Sequence, residues 1–144
     1  MRIDSHVHIW TLGSPPFIHN DDMSTQRPVY PGLVEDLIGF MDLNKIDRTV
    51  LIQCMYHGYD NNYMCDALKR FPDRLHGVAL IDPLQPDAAE KLERVHQEHG
   101  VQGMRLYPIT DQDASWLSSP EQNALWETAQ RLEVPFTWFG RCDQ

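Results

Sequence analysis

Two histidines near the start of the chain, His6 and His8, carry the strongest chemical signal in the sequence. They lie within Arg2–Ile9, where alternation predicts a strand with Ile3, Ser5, Val7 and Ile9 on one face and Asp4, His6 and His8 on the other. Neutral imidazoles on one strand face can chelate a single divalent ion such as zinc, with Asp4 behind them as a partner that orients a ring. The plain alternative is two histidines with ordinary hydrogen bonds, and for a bare His-x-His it would prevail. The strand context favours the metal, because parallel α/β folds build their sites at the C-terminal ends of strands, where this pair sits.

Other residues could join such a site. Arg105 and Tyr107 share a face of a later strand, and Arg105 there can clamp a substrate carboxylate or polarise a substrate carbonyl. A structural ion pair explains that arginine equally well. Gln53 ends a strand and can donate a hydrogen bond to substrate or simply cap the strand end. His57, just beyond it, can shuttle protons near neutral pH, although a lone loop histidine is more often exposed. Trp138 can line a pocket or belong to the core. His19 with Asp21 and Asp22 forms a tempting cluster, but an acidic loop reads first as solvated. Cys54 has no basic neighbour in sequence to make it a nucleophile.

The elements that must position these groups follow a regular order. Strands are expected near 2–9, 48–53, 75–81, 102–107 and 134–139. Between them, Val34, Leu37, Ile38 and Met41 form one helical stripe, and Met64, Ala67, Leu68 and Phe71 form another, stopped by Pro72. Asp87 and Glu90 resemble a capping box ahead of a helix that ends at Gly100, and Ser119-Pro120 opens a fourth helix running to about Leu132. Strand and helix therefore alternate throughout, which predicts an α/β fold with a parallel sheet and right-handed crossovers. A long proline-containing loop, 10–32, follows the first strand. Neither GxGxxG nor GxxxxGK[ST] is present, so the common nucleotide-binding fingerprints are missing.

The 144 residues suit one domain, and 42% hydrophobic with 23% charged residues is a globular composition. A net charge of −9 opposes binding to nucleic acids and anionic membranes, leaving a small molecule as the expected partner. Cys54, Cys65 and Cys142 form no CxxC pair, which suggests free thiols and a cytoplasmic setting.

Ile3-Asp4-Ser5-His6-Val7-His8-Ile9-Trp10 resembles the opening strand of the amidohydrolase superfamily, in its amidohydrolase-related branch of lactonases and decarboxylases. The segments 71–75, 77–83 and 103–108 are similar to the same branch, so the likeness runs along essentially the whole chain. The resemblance implies a (β/α)8 barrel of TIM type and a metal-assisted hydrolytic site at its C-terminal face. His6 and His8 then match the two first-strand ligand positions for Zn or Mn, and later strands would supply further ligands. The fifth strand, 134–139, has no histidine, and a complete barrel takes roughly 250 residues. The expectation is one domain over 1–144, a barrel truncated after the fifth strand, with an open edge that favours self-association. Opening of a small lactone is the leading activity. Decarboxylation of a small unsaturated acid is the alternative, and a non-catalytic interaction module is a third reading.

Overall fold

The computed structural model describes residues 1–21, 27–107 and 115–140. Five strands alternate with four helices: β1 (Ile3–Val7), α1 (Val34–Asn44), β2 (Arg48–Ile52), α2 (Asn62–Arg70), β3 (Leu75–Leu80), α3 (Ala88–His99), β4 (Val101–Leu106), α4 (Asn123–Arg131) and β5 (Phe136–Trp138). The strands lie in sequence order, and every neighbouring pair is parallel. This is the curled half of a barrel, with all C-terminal strand ends on one side.

The fourth helix starts later than the sequence pattern predicts. Pro120–Gln122 form a 3-10 turn, and the α-helix begins only at Asn123. The capping box before α3 is also not made: Asp87 has no side-chain cap bond, and its carboxylate pairs with Lys91 at 2.8 Å. The C-terminal signal does hold, since Gly100 adopts φ 67°, a left-handed conformation that glycine takes without strain.

Strand registers assign the two faces of the sheet. Thr49 pairs with Leu75, Leu51 with Gly77, Ala79 with Met104 and Leu106 with Trp138, and this row faces the helices. Leu51, Leu75, Ala79, Met104 and Leu106 join Val34, Met41, Met64, Leu68, Leu92 and Leu125 in one buried core. The opposite, concave row contains Ile52 beside Val78 and Leu80 beside Arg105, with Thr137 next in line.

A bulge interrupts β1. Asp4 pairs with Thr49 and Val7 with Leu51, so three steps on β1 match two on β2. Asp4 and Val7 therefore both fall in the helix-facing row, and the strand changes phase between them. Simple alternation, which placed Asp4 with His6 and His8, is corrected by this extra residue.

Asn61 closes the joint between α2 and β3. Its amide accepts from the Leu80 N–H at 3.0 Å and donates to the Leu80 carbonyl at 2.9 Å, all buried. Among the described residues no helix is long and apolar enough to cross a membrane. Asn61→Ala should cost about 3 kcal/mol, because it strands a buried donor and a buried acceptor together. Urea unfolding with an unchanged slope against denaturant checks this.

Candidate active site

His6 and His8 lie at the C-terminal end of β1, His8 one residue beyond the strand, and their rings meet edge to face at a centroid distance of 5.0 Å. The two Nε2 atoms are 3.4 Å apart. His8 Nδ1 lies 2.7 Å from the Ile52 carbonyl, which can only accept. The proton is therefore on Nδ1, and the His8 Nε2 lone pair points at His6. A direct Nε2–H···Nε2 bond at 3.4 Å would be longer than the usual range of about 2.7–3.2 Å. Two nitrogens bound to one zinc at about 2.0–2.1 Å with tetrahedral angles stand about 3.3 Å apart. The pair thus has the span of two ligands to one ion, with a backbone carbonyl fixing one ring. Among the described residues no third His, Cys, Asp or Glu joins them in a metal-binding group.

Burial holds the His8 pKa below its ordinary value, against an opposing contribution from the Ile52 hydrogen bond, and the nearby Arg105 and His6 charges add to the lowering. His8 is accordingly neutral, the form a metal requires.

Asp4 does not reach either imidazole. Its carboxylate accepts the His6 backbone N–H at 3.2 Å, so it braces the bulge, while the partner of His8 is the Ile52 carbonyl.

A cleft of about 400 Å³ opens over the histidines, lined by His6, His8, Cys54, Met55, Tyr56, Arg105, Tyr107 and Phe139. Arg105 forms its floor and is only 7% exposed. Its Nη1 donates to the Gln53 carbonyl at 3.4 Å, and its guanidinium lies 5.3 Å from the Tyr107 ring centroid and 4.8 Å from that of Phe139. Those two rings stack at 5.1 Å and 20°. Among the described residues no carboxylate pairs with Arg105. Desolvation lowers its pKa, yet a guanidinium remains a cation at neutral pH. Burial also raises the Tyr107 and Cys54 pKa values, and the Cys54 thiol donates to the Ile9 carbonyl at 3.4 Å. Cys54 is therefore a protonated thiol in the wall and no nucleophile.

The remaining candidates lie elsewhere. The Gln53 amide donates to the Gly58 and Asp60 carbonyls at 3.2 and 2.6 Å and so holds a loop, leaving only its backbone carbonyl at the cleft. His57 is buried, with both ring nitrogens engaged by backbone groups of the 10–32 loop. Trp138 falls in the helix-facing row beside Leu106, half exposed at the sheet edge. Its neighbour Phe139 enters the cleft instead. Met55, Tyr56 and Phe139 were not singled out from sequence. Phe139 follows from the parity of β5 once the structure shows Phe136 packed on Trp126 of α4, which assigns the odd positions to the concave side.

His19 is not solvated: its side chain is 5% exposed, stacked on Tyr56, with Nδ1 2.9 Å from Asp21. Asp22 and Cys142 lie outside the described residues. A larger groove, about 570 Å³, runs between α2 and α3. Its lining has mixed charge and lacks the histidine pair, so the smaller cleft is the candidate site.

The amidohydrolase family model matches residues 3–139. The chain belongs to the amidohydrolase family. A 2-pyrone-4,6-dicarboxylate hydrolase from Comamonas testosteroni is 29% identical over 109 residues, covering 72% of this chain and 32% of that protein. A crystal structure described as a probable 2-pyrone-4,6-dicarboxylic acid hydrolase from Acinetobacter baumannii, with citric acid bound, superposes with TM-score 0.80 at 23% identity, over 95% of this chain and 48% of the other. A 5-carboxyvanillate decarboxylase from Novosphingobium aromaticivorans, with manganese bound, gives 0.69 at 18% identity, over 94% and 49%. The chain thus spans between about a third and a half of the length of these relatives, and its five strands are five of the eight of a TIM-type barrel.

The lowered His8 pKa has a testable consequence. Below the ordinary histidine value of about 6.5 the unfolded chain takes up a proton that folded His8 refuses. Between that value and its own depressed midpoint, His8 makes the fold progressively less stable as pH falls. An NMR titration should place the His8 midpoint below 6.5, and His8→Gln should flatten the stability profile in that window.

Proposed function

We propose that the cleft serves metal-assisted hydrolysis of a small cyclic ester carrying a carboxylate, with His6 and His8 holding the divalent ion through their Nε2 atoms. The observation that carries this reading is Arg105, a buried cation with no carboxylate partner among the described residues, facing the same cleft as two imidazoles one metal-ion span apart. A buried charge left unpaired is costly, and a substrate carboxylate would offset that cost. Arg105 then binds and orients the substrate, while Tyr107 and Phe139 form an apolar platform for a flat ring and exclude water. A bound ion supplies a Lewis acid for the carbonyl and activates water. The likeness to pyrone dicarboxylate hydrolases supports a lactone as substrate.

The same flat, cationic platform suits a second reading, loss of CO₂ from a small unsaturated acid, supported by the likeness to a decarboxylase. Turnover of sugar and pyrone lactones, set against CO₂ release from aromatic acids, separates the two.

Two histidines fall short of the three protein ligands that catalytic zinc sites usually provide. The 144-residue chain alone should therefore bind Mn²⁺ or Zn²⁺ weakly and turn over lactones weakly or not at all, whereas a form extended by three further strand–helix units should be active and chelator-sensitive. We also propose that β1 and β5, each paired with one strand only among the described residues, favour self-association of this chain, which size-exclusion light scattering would reveal as a dimer mass.

His6→Ala and His8→Ala should each weaken Mn²⁺ binding at least tenfold, measured by water-proton relaxation. Arg105→Gln should weaken binding of isophthalate, a flat dicarboxylate probe, by about tenfold to a hundredfold, the loss expected for a charge-assisted hydrogen bond. Isophthalate binding unaffected by Arg105→Gln would overturn the carboxylate assignment.

A further inference from the structure

We infer that His57 is a positioning residue: a tautomer-locked clamp that joins the 10–32 loop to the loop after β2 and thereby holds the Tyr56–Met55 wall of the cleft. The inference rests on the reading of that cleft as the active site.

His57 is 2% exposed, yet it contacts the chain at two distant points. Its Nε2 accepts the Thr11 N–H at 3.1 Å, so Nε2 carries no proton. Its Nδ1 lies 3.0 Å from the Ile18 carbonyl, which accepts, so Nδ1 does carry one. Only the neutral Nδ1–H tautomer satisfies both bonds. The ring is backed by Tyr63 at 5.8 Å, which in turn packs on Phe17 at 4.9 Å.

The adjacent residue finishes the joint. The Tyr56 carbonyl accepts the Asn20 N–H at 2.6 Å, and the Tyr56 ring sits against Trp10 and His19, each at 5.7 Å. The base of the long loop is closed by paired Trp10–Gly32 backbone bonds of 2.9 Å. Residues 56 and 57 therefore fix Thr11, Ile18 and Asn20, and Tyr56 and Met55 line the cleft beside His8. An acceptor and a donor at separate corners of one rigid ring are what this joint requires. Gln and Asn carry both functions, but on a single amide, so each can reproduce only one of the two bonds.

The test uses ¹⁵N-labelled chain. In the wild type, imidazole ¹⁵N–¹H correlations should show His57 as the Nδ1–H tautomer. His57→Phe keeps an aromatic ring of slightly larger size against Tyr63 while losing both hydrogen bonds. It should raise amide exchange at Thr11 and Asn20 at least tenfold and remove the Tyr56–Trp10 ring cross-peak, while the Gln53 backbone N–H, bonded to the Val78 carbonyl in the sheet, stays protected. His57→Gln should restore protection at Thr11 but not the bond to Ile18, and His57→Asn the reverse. Should His57→Phe fail to fold, the tautomer and these two half-rescues carry the test.

An Nε2–H tautomer overturns the clamp. So does His57→Phe with unchanged Thr11 and Asn20 exchange, or with equal loosening of Gln53. Isophthalate affinity is then compared: a drop of tenfold or more in His57→Phe, with the Arg105 contact intact, links the clamp to the cleft, and equal affinity overturns that link. Failure of wild-type chain to bind isophthalate counts against the proposed function and leaves the exchange result to decide the clamp.

Discussion

The site depends on two successive carbonyl groups at the end of β2. Ile52 presents its oxygen to His8 Nδ1 at 2.7 Å, and Gln53 presents its own to Arg105 Nη1 at 3.4 Å. One carbonyl sets the tautomer of an imidazole, and the next anchors a buried guanidinium. Both come from the end of the strand between β1 and β3, so the placement of His8 and Arg105 is inherited from the sheet, while the loop after β2 adds the Met55–Tyr56 wall. Sites on rigid elements hold their groups more closely than loop-built ones. A shift of β2 by one residue would exchange its concave and helix-facing rows and separate both contacts at once.

The parallel architecture was legible because each strand and helix carries a strong local pattern. Val34, Leu37, Ile38 and Met41 give one helical stripe, and Thr49 to Ile52 a short apolar strand. The phase of β1 was not legible. A bulge is a property of two strands together, since Asp4–Val7 is one residue longer than its partner Thr49–Leu51, and no local composition signals it. The His6–His8 spacing survives because both lie after the phase change, whereas Asp4 lies before it. That is why the histidine pair reads correctly as one face and the aspartate does not.

The same limit explains the loops. His57 reads as a lone loop histidine because its partners, the Thr11 N–H and the Ile18 carbonyl, are backbone groups 46 and 39 residues away. Backbone groups have no letter in the sequence, so such a contact cannot be anticipated from residue types. Phe139 was hidden differently. A three-residue edge strand gives too little alternation to assign its faces, and the answer comes from the packing of Phe136 against Trp126.

One tension in the composition remains to be reconciled: a molecule of net charge −9 with a cleft read as taking a carboxylate. Distance decides it. At physiological salt the Debye length is about 8 Å, so most acidic surface groups are screened from a ligand inside the cleft. At about 4 Å, with an effective dielectric near 20, two unit charges interact by about 4 kcal/mol. Arg105, largely shielded from water and flanked by a neutral His8, therefore governs the potential felt at the cleft floor, while the acidic exterior governs what approaches from afar. An extended polyanion must meet that exterior along its whole length. A small acid meets it only briefly and then faces the guanidinium. Acidic surface and cationic floor are thus compatible, and neither argues against the small carboxylate substrate proposed above.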